Sequence, residues 1–361
     1  MKQNWLDALA DKPKQGANVE VTIDPALQQA AYDQLVGPGY EGSAVAIQPS
    51  TGKILAMASN PGYNPNDLMG DSAEDVWANL QEQEGQPLVN HAGAETLPPG
   101  SIFKIITTAA GLNNGFNPSS TLTGSNVITL PDTVTELTNY ANQKCNGQDA
   151  VTLQTAFALS CNTAFVEMSE QLGADELRKY AKAFGVGENY DLGVSTSAGT
   201  LGDLPDGAAT AQSAIGQRDV TMTALQAAVM AGTVANKGTR MQPYLVNRIT
   251  DAQMKDIRTT KPKKADQAVN EETAATLTDL MYASERSSAG YDGNGFASKT
   301  GTAEHGEGLA PHVWYVAFDP ERDIAVGVVV KNGGNLGESA TGGKVSGPIG
   351  RAILRAYQGE Q

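Results

Sequence analysis

The sequence predicts an α/β fold of the α+β kind, in which helices flank a central, mainly antiparallel sheet of about five strands. Two observations support this prediction. Strand-like apolar runs lie near the start of the chain, at 44–47 and 54–58, and return near its end, whereas the segment 66–289 has mainly helical patterns. We therefore expect one sheet assembled from about 19–65 and 290–361, with an all-helical subdomain inserted between them.

The first elements have clear boundaries in the sequence. VTIDPALQQAAYDQLVG predicts a helix with Asp24 as its N-cap, Pro25 in its first turn and Gly37 at its end. Its apolar stripe consists of Leu27, Ala31 and Leu35. The two apolar runs that follow are joined by the turn-rich segment 48–53, which predicts a hairpin. Residues 1–18 are polar and are expected to form a linker.

The later elements follow from periodicity and turn residues. Within the helical part, TMTALQAAVMAGTVANKG predicts an amphipathic helix that ends before Gly238. The runs GFASKTGTAE, HVWYVAFD and DIAVGVVVKN predict three strands, with a turn at 319–323 between the last two. GPIGRAILRAYQ predicts a closing helix whose apolar face is formed by Ile349, Ala352, Ile353, Ala356 and Tyr357.

Composition disfavours several classes of function. The chain has 25 Lys and Arg residues against 40 Asp and Glu, a formal net charge of -15, so we expect no nucleic-acid partner. Its two cysteines and three histidines are not spaced as metal ligands, and no metal is expected. Cys145 and Cys161 could form one disulfide or remain thiols, and composition leaves both possibilities open.

The segment PPGSIFK contains a candidate nucleophile. If a helix begins at about Gly100, Ser101 and Lys104 share one face and can touch. The positive end of the helix then favours an alkoxide on Ser101, and partial burial favours a neutral Lys104 amine that can accept the hydroxyl proton. A second Ser-x-x-Lys, at 50–53, lies in the hairpin turn, where no helix would bring its hydroxyl and amine together. Its residues are expected only to form the turn.

Two further motifs give Ser101 and Lys104 their significance. Ser160-Cys161-Asn162 and Lys299-Thr300-Gly301 follow in the order S-x-x-K, S-x-N, K-T-G, which is typical of penicillin-binding proteins and class A β-lactamases. From about Val21 to Tyr357 the chain resembles the transpeptidase domain of class B penicillin-binding proteins. The segments LPPGSIFK and KTGTAE, the latter followed by PHVWYVAFDP, resemble these proteins more than the shorter β-lactamases.

The resemblance implies a role for each matching residue. Ser101 is expected to be the acylated nucleophile and Lys104 its general base, with Ser160 as proton relay and Asn162 orienting the substrate amide. Lys299 is expected to keep Lys104 neutral by repulsion. The substrate-binding residues are expected to be Lys299, Thr300, Gly301 and Thr302. The backbone N–H groups of Ser101 and Thr302 are expected to form the oxyanion hole. We also hypothesise that Cys161 pairs with Cys145.

The same resemblance implies a fold like that of penicillin-binding proteins and serine β-lactamases, and a function. The expected enzyme cleaves D-Ala-D-Ala through a Ser101 ester, cross-links peptidoglycan stem peptides, is inhibited by β-lactams and needs no cofactor. We expect it at the extracytoplasmic face of the membrane, in a membrane-bound cell-wall synthesis complex. The membrane anchor and N-terminal pedestal expected of a class B protein are not recognisable in the sequence.

Several alternatives are weighed against this function. The same residues would serve a D,D-carboxypeptidase or a β-lactamase, which use water as acceptor, or a non-catalytic β-lactam sensor. GNGFASKT is similar to a phosphate-binding loop, but Ser298 stands where that motif needs glycine. The histidines, His91, His305 and His312, could serve a Ser-His-Asp triad, but the chain contains no G-x-S-x-G segment.

Overall fold

The computed structural model describes residues 16–306 and 308–359, so most of the expected linker at 1–18 lies outside the described residues. The helices are α1 (Pro25–Val36), α2 (Ala73–Glu82), α3 (His91–Ala94), α4 (Lys104–Leu112), α5 (Leu153–Ala158), α6 (Asn162–Ala183), α7 (Gly207–Ala214), α8 (Ala224–Ala235), α9 (Glu271–Ser287) and α10 (Ser346–Ala356). The strands are β1 (Asn18–Val21), β2 (Gly42–Ile47), β3 (Ile54–Asn60), β4 (Thr121–Thr123), β5 (Val127–Thr129), β6 (Glu136–Thr138), β7 (Ala150–Thr152), β8 (Thr239–Met241), β9 (Val246–Thr250), β10 (Asp256–Thr259), β11 (Lys264–Gln267), β12 (Ala297–Ala303), β13 (His312–Asp319) and β14 (Ile324–Val330).

Five antiparallel strands form the central sheet, in the order β12-β13-β14-β2-β3. The strands β2 and β3 form the predicted hairpin, and the predicted turn joins β13 to β14. Pairing of β14 with β2, for example of Val328 with Ala44, joins the two distant parts of the chain. The predicted α+β class and the five-stranded antiparallel sheet are therefore confirmed.

Helices cover both faces of this sheet. One face packs against α1 and α10 through Leu27, Leu35, Ile349, Ile353 and Leu354. Asp24 begins α1 as predicted, because its Oδ1 accepts hydrogen bonds from the N–H groups of Ala26 at 2.9 Å and Leu27 at 3.1 Å. The other face packs against α8 and α9. No helix in the described residues is both long and apolar enough to cross a membrane.

Helix α8 is buried on every side, which differs from the predicted amphipathic helix. All residues from 224 to 234 are buried, because α8 lies between the sheet, at β14 and β2, and the other helices. The approach to β14 is close. A Cβ added to Gly327 would lie 2.5 Å from both Ala224 O and Ala228 N, so only glycine fits there. A helix in such a position has no exposed polar face, and the two polar residues of α8, Gln226 and Thr233, are themselves buried.

The inserted part of the chain is not all-helical, and this corrects the prediction. It contains the short antiparallel pairs β4-β7, β5-β6 and β8-β11, and β9 pairs with β1 and β10. Most of these strands have three to five residues and carry polar residues on their faces. Runs this short have too few alternating positions to be distinguished from loops by pattern.

A buried ionic network fixes β12 to its neighbours. The Glu285 carboxylate of α9 is 1% exposed and accepts hydrogen bonds from Arg351 Nε at 2.7 Å, Tyr315 OH at 2.9 Å, Asn294 Nδ2 at 3.0 Å and the Ser298 hydroxyl. Burial alone would raise the pKa of Glu285, but these hydrogen bonds outweigh it and hold the pKa below its usual value. The carboxylate is therefore charged and ties together α9, α10, β12 and β13.

We predict that Glu285→Ala lowers the free energy of unfolding by about 3–5 kcal/mol, because it leaves the buried Arg351 guanidinium without its counterion. Chemical denaturation of the purified protein measures this loss. The matched control is Glu272→Ala, at an exposed position of the same helix, which is expected to cost under about 1 kcal/mol. Equal losses in the two variants would contradict the prediction.

Candidate active site

Ser101 lies in a tight turn that precedes helix α4. The turn, Gly100–Phe103, is a 3-10 helix, and the α-helix begins at Lys104 rather than at about Gly100 as predicted. Gly100 has a φ of +52°, and its N–H donates a hydrogen bond to Gly216 O at 2.9 Å. A Cβ at Gly100 would lie 2.7 Å from Thr302 O, so the close approach of β12 requires glycine. Ser101 is partly exposed and still lies at the N-terminal end of α4.

The Lys104 amine contacts both Ser101 and the S-x-N segment. Its Nζ lies 3.1 Å from Ser101 Oγ, 2.7 Å from Ser160 O and 2.8 Å from Asn162 Oδ1. The two shortest contacts are to oxygens that can only accept hydrogen bonds. A neutral amine has two N–H groups, which satisfy those two oxygens, and one lone pair. The lone pair is then left for the Ser101 hydroxyl, which donates to it.

Two lysines are buried next to each other at this site. Lys299 Nζ lies 2.9 Å from Ser160 Oγ and 3.0 Å from Thr300 O, and both lysine side chains are fully buried. Burial lowers the pKa of Lys299 to about 7. Burial and, second, the charge on Lys299 lower the pKa of Lys104 well below its usual value. The centroid of the Phe165 ring lies 5.3 Å from Lys104 Nζ, and that of the Phe157 ring lies 5.7 Å from Lys299 Nζ.

The S-x-N segment is held from three sides. Ser160, between α5 and α6, has a φ of +61°, a left-handed conformation that is uncommon for a residue with a side chain. The next residue, Cys161, forms a disulfide with Cys145, 16 positions earlier. Asn162 begins α6, and its Nδ2 donates a hydrogen bond to Thr138 O at 3.1 Å. The sheet β5-β6, the disulfide and α6 together fix the positions of the Ser160 hydroxyl and the Asn162 amide.

Strand β12 lies along the Ser101 turn. It is an outer strand of the central sheet, and Gly301 pairs with Trp314 of β13. The indole N–H of Trp314 donates a hydrogen bond to Pro98 O at 2.8 Å, which ties the turn to the sheet. A Cβ on Gly301 would lie 2.8 Å from Pro99 O, so the glycine of K-T-G allows the turn to approach. Thr300 and Thr302 are partly exposed beside Ser101's turn.

The structure thus brings together Ser101, Lys104, Ser160, Asn162 and Lys299, and it places Thr300, Gly301 and Thr302 on the adjoining strand. The other Ser-x-x-Lys lies apart from them, because the Ser50 hydroxyl and N–H donate to the Asp323 carboxylate in the hairpin turn. GNGFASKT leads into β12 and not into a helix, as expected.

Sequence reasoning missed several residues that shape the site. The carbonyl oxygens of Ser160 and Thr138 hold the Lys104 amine and the Asn162 amide, but a backbone contact leaves no signal in side-chain pattern. Phe157 and Phe165 were visible only as apolar helix positions. Gly216 has a φ of +73°, and a Cβ there would lie 2.1 Å from Gly100 O. Its position in AIGQRD could have indicated such a close backbone approach.

A family model, penicillin binding protein transpeptidase domain, matches residues 42–355. The chain belongs to this family. The peptidoglycan D,D-transpeptidase PbpA of Mycolicibacterium smegmatis is 45% identical over 97% of this chain and 74% of that protein. PbpA of Mycobacterium tuberculosis is 42% identical over 98% of this chain and 75% of that protein.

Solved structures of penicillin-binding proteins match the whole described fold. The ceftriaxone acyl-enzyme complex of penicillin-binding protein A from M. tuberculosis has a TM-score of 0.93 and 40% identity, covering 99% of this chain and 83% of that one. The D,D-transpeptidase domain from Eggerthella lenta has a TM-score of 0.82 and 26% identity, covering 97% and 86%. The resemblance to class B penicillin-binding proteins is confirmed, and within that class the sequence also resembles actinobacterial penicillin-binding protein A, as the matches to PbpA of mycobacteria show.

We predict that Lys299→Met shifts the pH dependence of Ser101 acylation. A general base acts only as the neutral amine, so acylation rises with pH as Lys104 loses its proton. Without the neighbouring charge, the pKa of Lys104 rises and this acidic limb moves to higher pH. The wild-type rate is also expected to fall as pH rises through about 7, where Lys299 loses its proton. Rates of labelling by a fluorescent penicillin, measured across about pH 5 to 10, report both limbs.

The matched control for this experiment is Lys255→Met, which makes the same change of charge at an exposed position. Its profile is expected to overlie that of the wild type. An acidic limb that stays in place in Lys299→Met would show that the charge on Lys299 does not influence Lys104.

We predict that the double variant Cys145→Ser/Cys161→Ser loses about 3 kcal/mol of unfolding free energy, because the disulfide no longer restricts the unfolded chain. Acylation of Ser101 is expected to slow as well, since Cys161 no longer restrains the left-handed backbone of Ser160. Denaturation and penicillin labelling measure the two effects, and reduced wild-type protein is the control. A double variant as stable and as rapidly acylated as the oxidised wild type would contradict both.

Proposed function

We propose that the chain is a peptidoglycan D,D-transpeptidase that forms an acyl-enzyme on Ser101. One observation carries this proposal: a fully buried Lys104 amine lies 3.1 Å from a partly exposed serine hydroxyl, and its two shortest contacts are to oxygens that can only accept. The relatives at 45% and 42% identity are named peptidoglycan D,D-transpeptidases. The reaction is an acyl transfer that needs no cofactor, because lysines and backbone dipoles handle the charge.

In the first step Ser101 attacks the carbonyl carbon of the D-Ala-D-Ala bond. Lys104 takes the hydroxyl proton as Oγ forms the new bond. The backbone N–H groups of Ser101 and Thr302 stabilise the negative charge on the carbonyl oxygen. Ser160, which contacts both lysine amines, relays the proton that Lys104 has taken up to the nitrogen of the departing D-alanine as the C–N bond breaks. The peptide remains as an ester on Ser101.

The other residues of the site bind the substrate. Asn162 orients the amide of the bound peptide. Lys299, Thr300, Gly301 and Thr302 lie along β12 and hold the terminal carboxylate, with Lys299 supplying the positive charge. The bound carboxylate gives Lys299 a negatively charged partner, and this raises the pKa of the Lys299 amine. The bound substrate therefore favours a charged Lys299 next to a neutral Lys104.

In the second step an amine of a neighbouring stem peptide takes the acyl group and releases Ser101. β-Lactams are expected to acylate the same serine, because their amide resembles the D-Ala-D-Ala bond and their leaving group stays attached. Ceftriaxone and penicillin G acyl-enzyme complexes of penicillin-binding protein A from M. tuberculosis support this expectation.

We further propose that residues 19–361 form the transpeptidase domain of a protein that works at the extracytoplasmic face of the bacterial membrane, within a cell-wall synthesis complex. Peptidoglycan is cross-linked outside that membrane. The Cys145–Cys161 disulfide agrees with this location, since disulfides persist in oxidising compartments and are rare in the cytosol.

The test is labelling by fluorescent penicillin combined with product analysis. Wild-type protein is expected to bind one penicillin covalently, and Ser101→Ala is expected to lose the label while remaining folded. With a stem pentapeptide donor and an amine acceptor, mass spectrometry is expected to find the cross-linked product. Rapid turnover of penicillin would instead indicate a β-lactamase, hydrolysis without amide formation a carboxypeptidase, and labelling without any peptide product a sensor.

A further inference from the structure

Helix α6 begins at the active site, but the residue before it does not cap it. The helix starts at Asn162, whose amide oxygen contacts the Lys104 amine. The preceding residue, Cys161, makes no capping hydrogen bond, and its sulfur is bonded to that of Cys145. Five other helices, α1, α5, α7, α8 and α9, are capped by a side-chain oxygen of the residue that precedes them. The first N–H groups of α6 therefore need an acceptor from another part of the chain.

Asn139 supplies this acceptor. It directly follows β6, and its Oδ1 accepts a hydrogen bond from the N–H of Thr163, the second residue of α6, at 3.0 Å. The two residues are 24 positions apart in the sequence. The Asn139 side chain is only 6% exposed, and Thr163 is fully buried. Asn139 thus does for α6 what a local capping residue does for the other helices.

The other end of the Asn139 side chain is bonded as well. Its Nδ2 donates hydrogen bonds to Ser125 O at 2.9 Å and to Gln143 O at 3.2 Å. Ser125 O also accepts a hydrogen bond from the Thr163 hydroxyl at 2.8 Å. Neither polar atom of the Asn139 side chain can move without leaving a buried group unpaired. Asn139 is therefore a rigid link between the end of β6 and the first turn of α6.

The Asn162 amide depends on the same two elements for its orientation. Its Nδ2 donates a hydrogen bond to the carbonyl oxygen of Thr138, the last residue of β6, at 3.1 Å. A carbonyl oxygen only accepts, so it binds the Nδ2 end of the amide and leaves Oδ1 directed at Lys104 Nζ, 2.8 Å away. With the amide reversed, its N–H groups would bind the Lys104 lone pair that the Ser101 hydroxyl needs.

We propose that Asn139 is a positioning residue for the acylation of Ser101. By joining β6 to the first turn of α6, it keeps the Asn162 amide in the orientation that leaves the Lys104 lone pair to the hydroxyl. The inference rests on the proposed transpeptidase function. Asn139 acts through Asn162 and is not itself a catalytic residue. A purely structural asparagine would affect the stability of the fold but not the protonation of Lys104.

The test is the pH profile of Ser101 acylation in Asn139→Ala, measured as the rate of labelling by a fluorescent penicillin. Without the Asn139 side chain, the Asn162 oxygen is no longer held against Lys104. An amide oxygen stabilises an ammonium group more than a neutral amine, so its loss lowers the pKa of Lys104. The acidic limb is expected to move to lower pH by about half a unit or more.

The maximum rate is expected to change in the same experiment. It should fall by about tenfold or more in Asn139→Ala, because the amine is no longer directed at the Ser101 hydroxyl. Within the described residues Lys104 has no ion pair, and the charged group beside it is Lys299 of β12. The substitution leaves Lys299 unchanged, so a shifted limb reports on the Asn162 amide.

The matched control is Asn270→Ala. Asn270 caps α9 through the same kind of bond, from its side-chain oxygen to the Thr273 N–H at 2.8 Å, and makes no contact with either lysine. Both variants are expected to lower the midpoint of chemical denaturation. Asn270→Ala is expected to keep the acidic limb and the maximum rate of the wild type, so the comparison separates positioning from stability.

Labelling of the wild type separates this inference from the proposed function. If penicillin does not label Ser101 in the wild type, the proposed function fails. If the wild type is labelled and the acidic limb of Asn139→Ala stays in place or moves to higher pH, the positioning inference alone is overturned.

A second variant covers the case in which Asn139→Ala does not fold. In Asn139→Ser the hydroxyl is too short to bond to both the Thr163 N–H and Ser125 O, so the same shift of the limb and loss of rate are expected in smaller measure. An Asn139→Ser profile that overlies the wild-type profile would overturn the inference.

Discussion

The burial of two lysine amines without a carboxylate partner is the constraint on which the site depends. Lys104 and Lys299 are fully buried, and within the described residues both amines make hydrogen bonds only to hydroxyl, carbonyl and amide groups. Two buried ammonium ions without counterions would cost several kcal/mol each. Loss of one proton removes one of these two costs and the repulsion between the charges, so burial of both amines favours the neutral amine that an acyl transfer needs.

Three remote segments must meet for this arrangement to exist. Lys299 is 139 positions from Ser160, and the two meet only because β12 ends the sheet beside α5 and α6. The Glu285 network fixes β12 from behind, and the indole of Trp314 fixes the Ser101 turn to the next strand. The distances between the catalytic groups are thus determined by contacts between residues that take no part in catalysis.

The sequence could predict features that depend on local chemistry or on motif order. Capping by Asp24 located α1, turn residues located the hairpin, and the order of the three motifs located the five site residues. Features set by tertiary contacts were not predictable. Helix α8 is buried on all sides because of what surrounds it, and the Ser101 turn is 3-10 because Gly100 must fit against Thr302 and Gly216. The backbone carbonyls that bind the Lys104 and Asn162 side chains could not be predicted either, because every residue type has a carbonyl group.

The contact between Gly327 and α8 also influences the segment that leads into Ser101. The residue before the N-terminal cap of α8, Met222, exchanges two backbone hydrogen bonds with Leu97, at 2.9 and 3.0 Å. Leu97 directly precedes the Pro98-Pro99-Gly100 segment that leads into Ser101. The missing side chain at position 327 therefore sets the depth at which α8 rests, and with it the height of the nucleophile above the sheet.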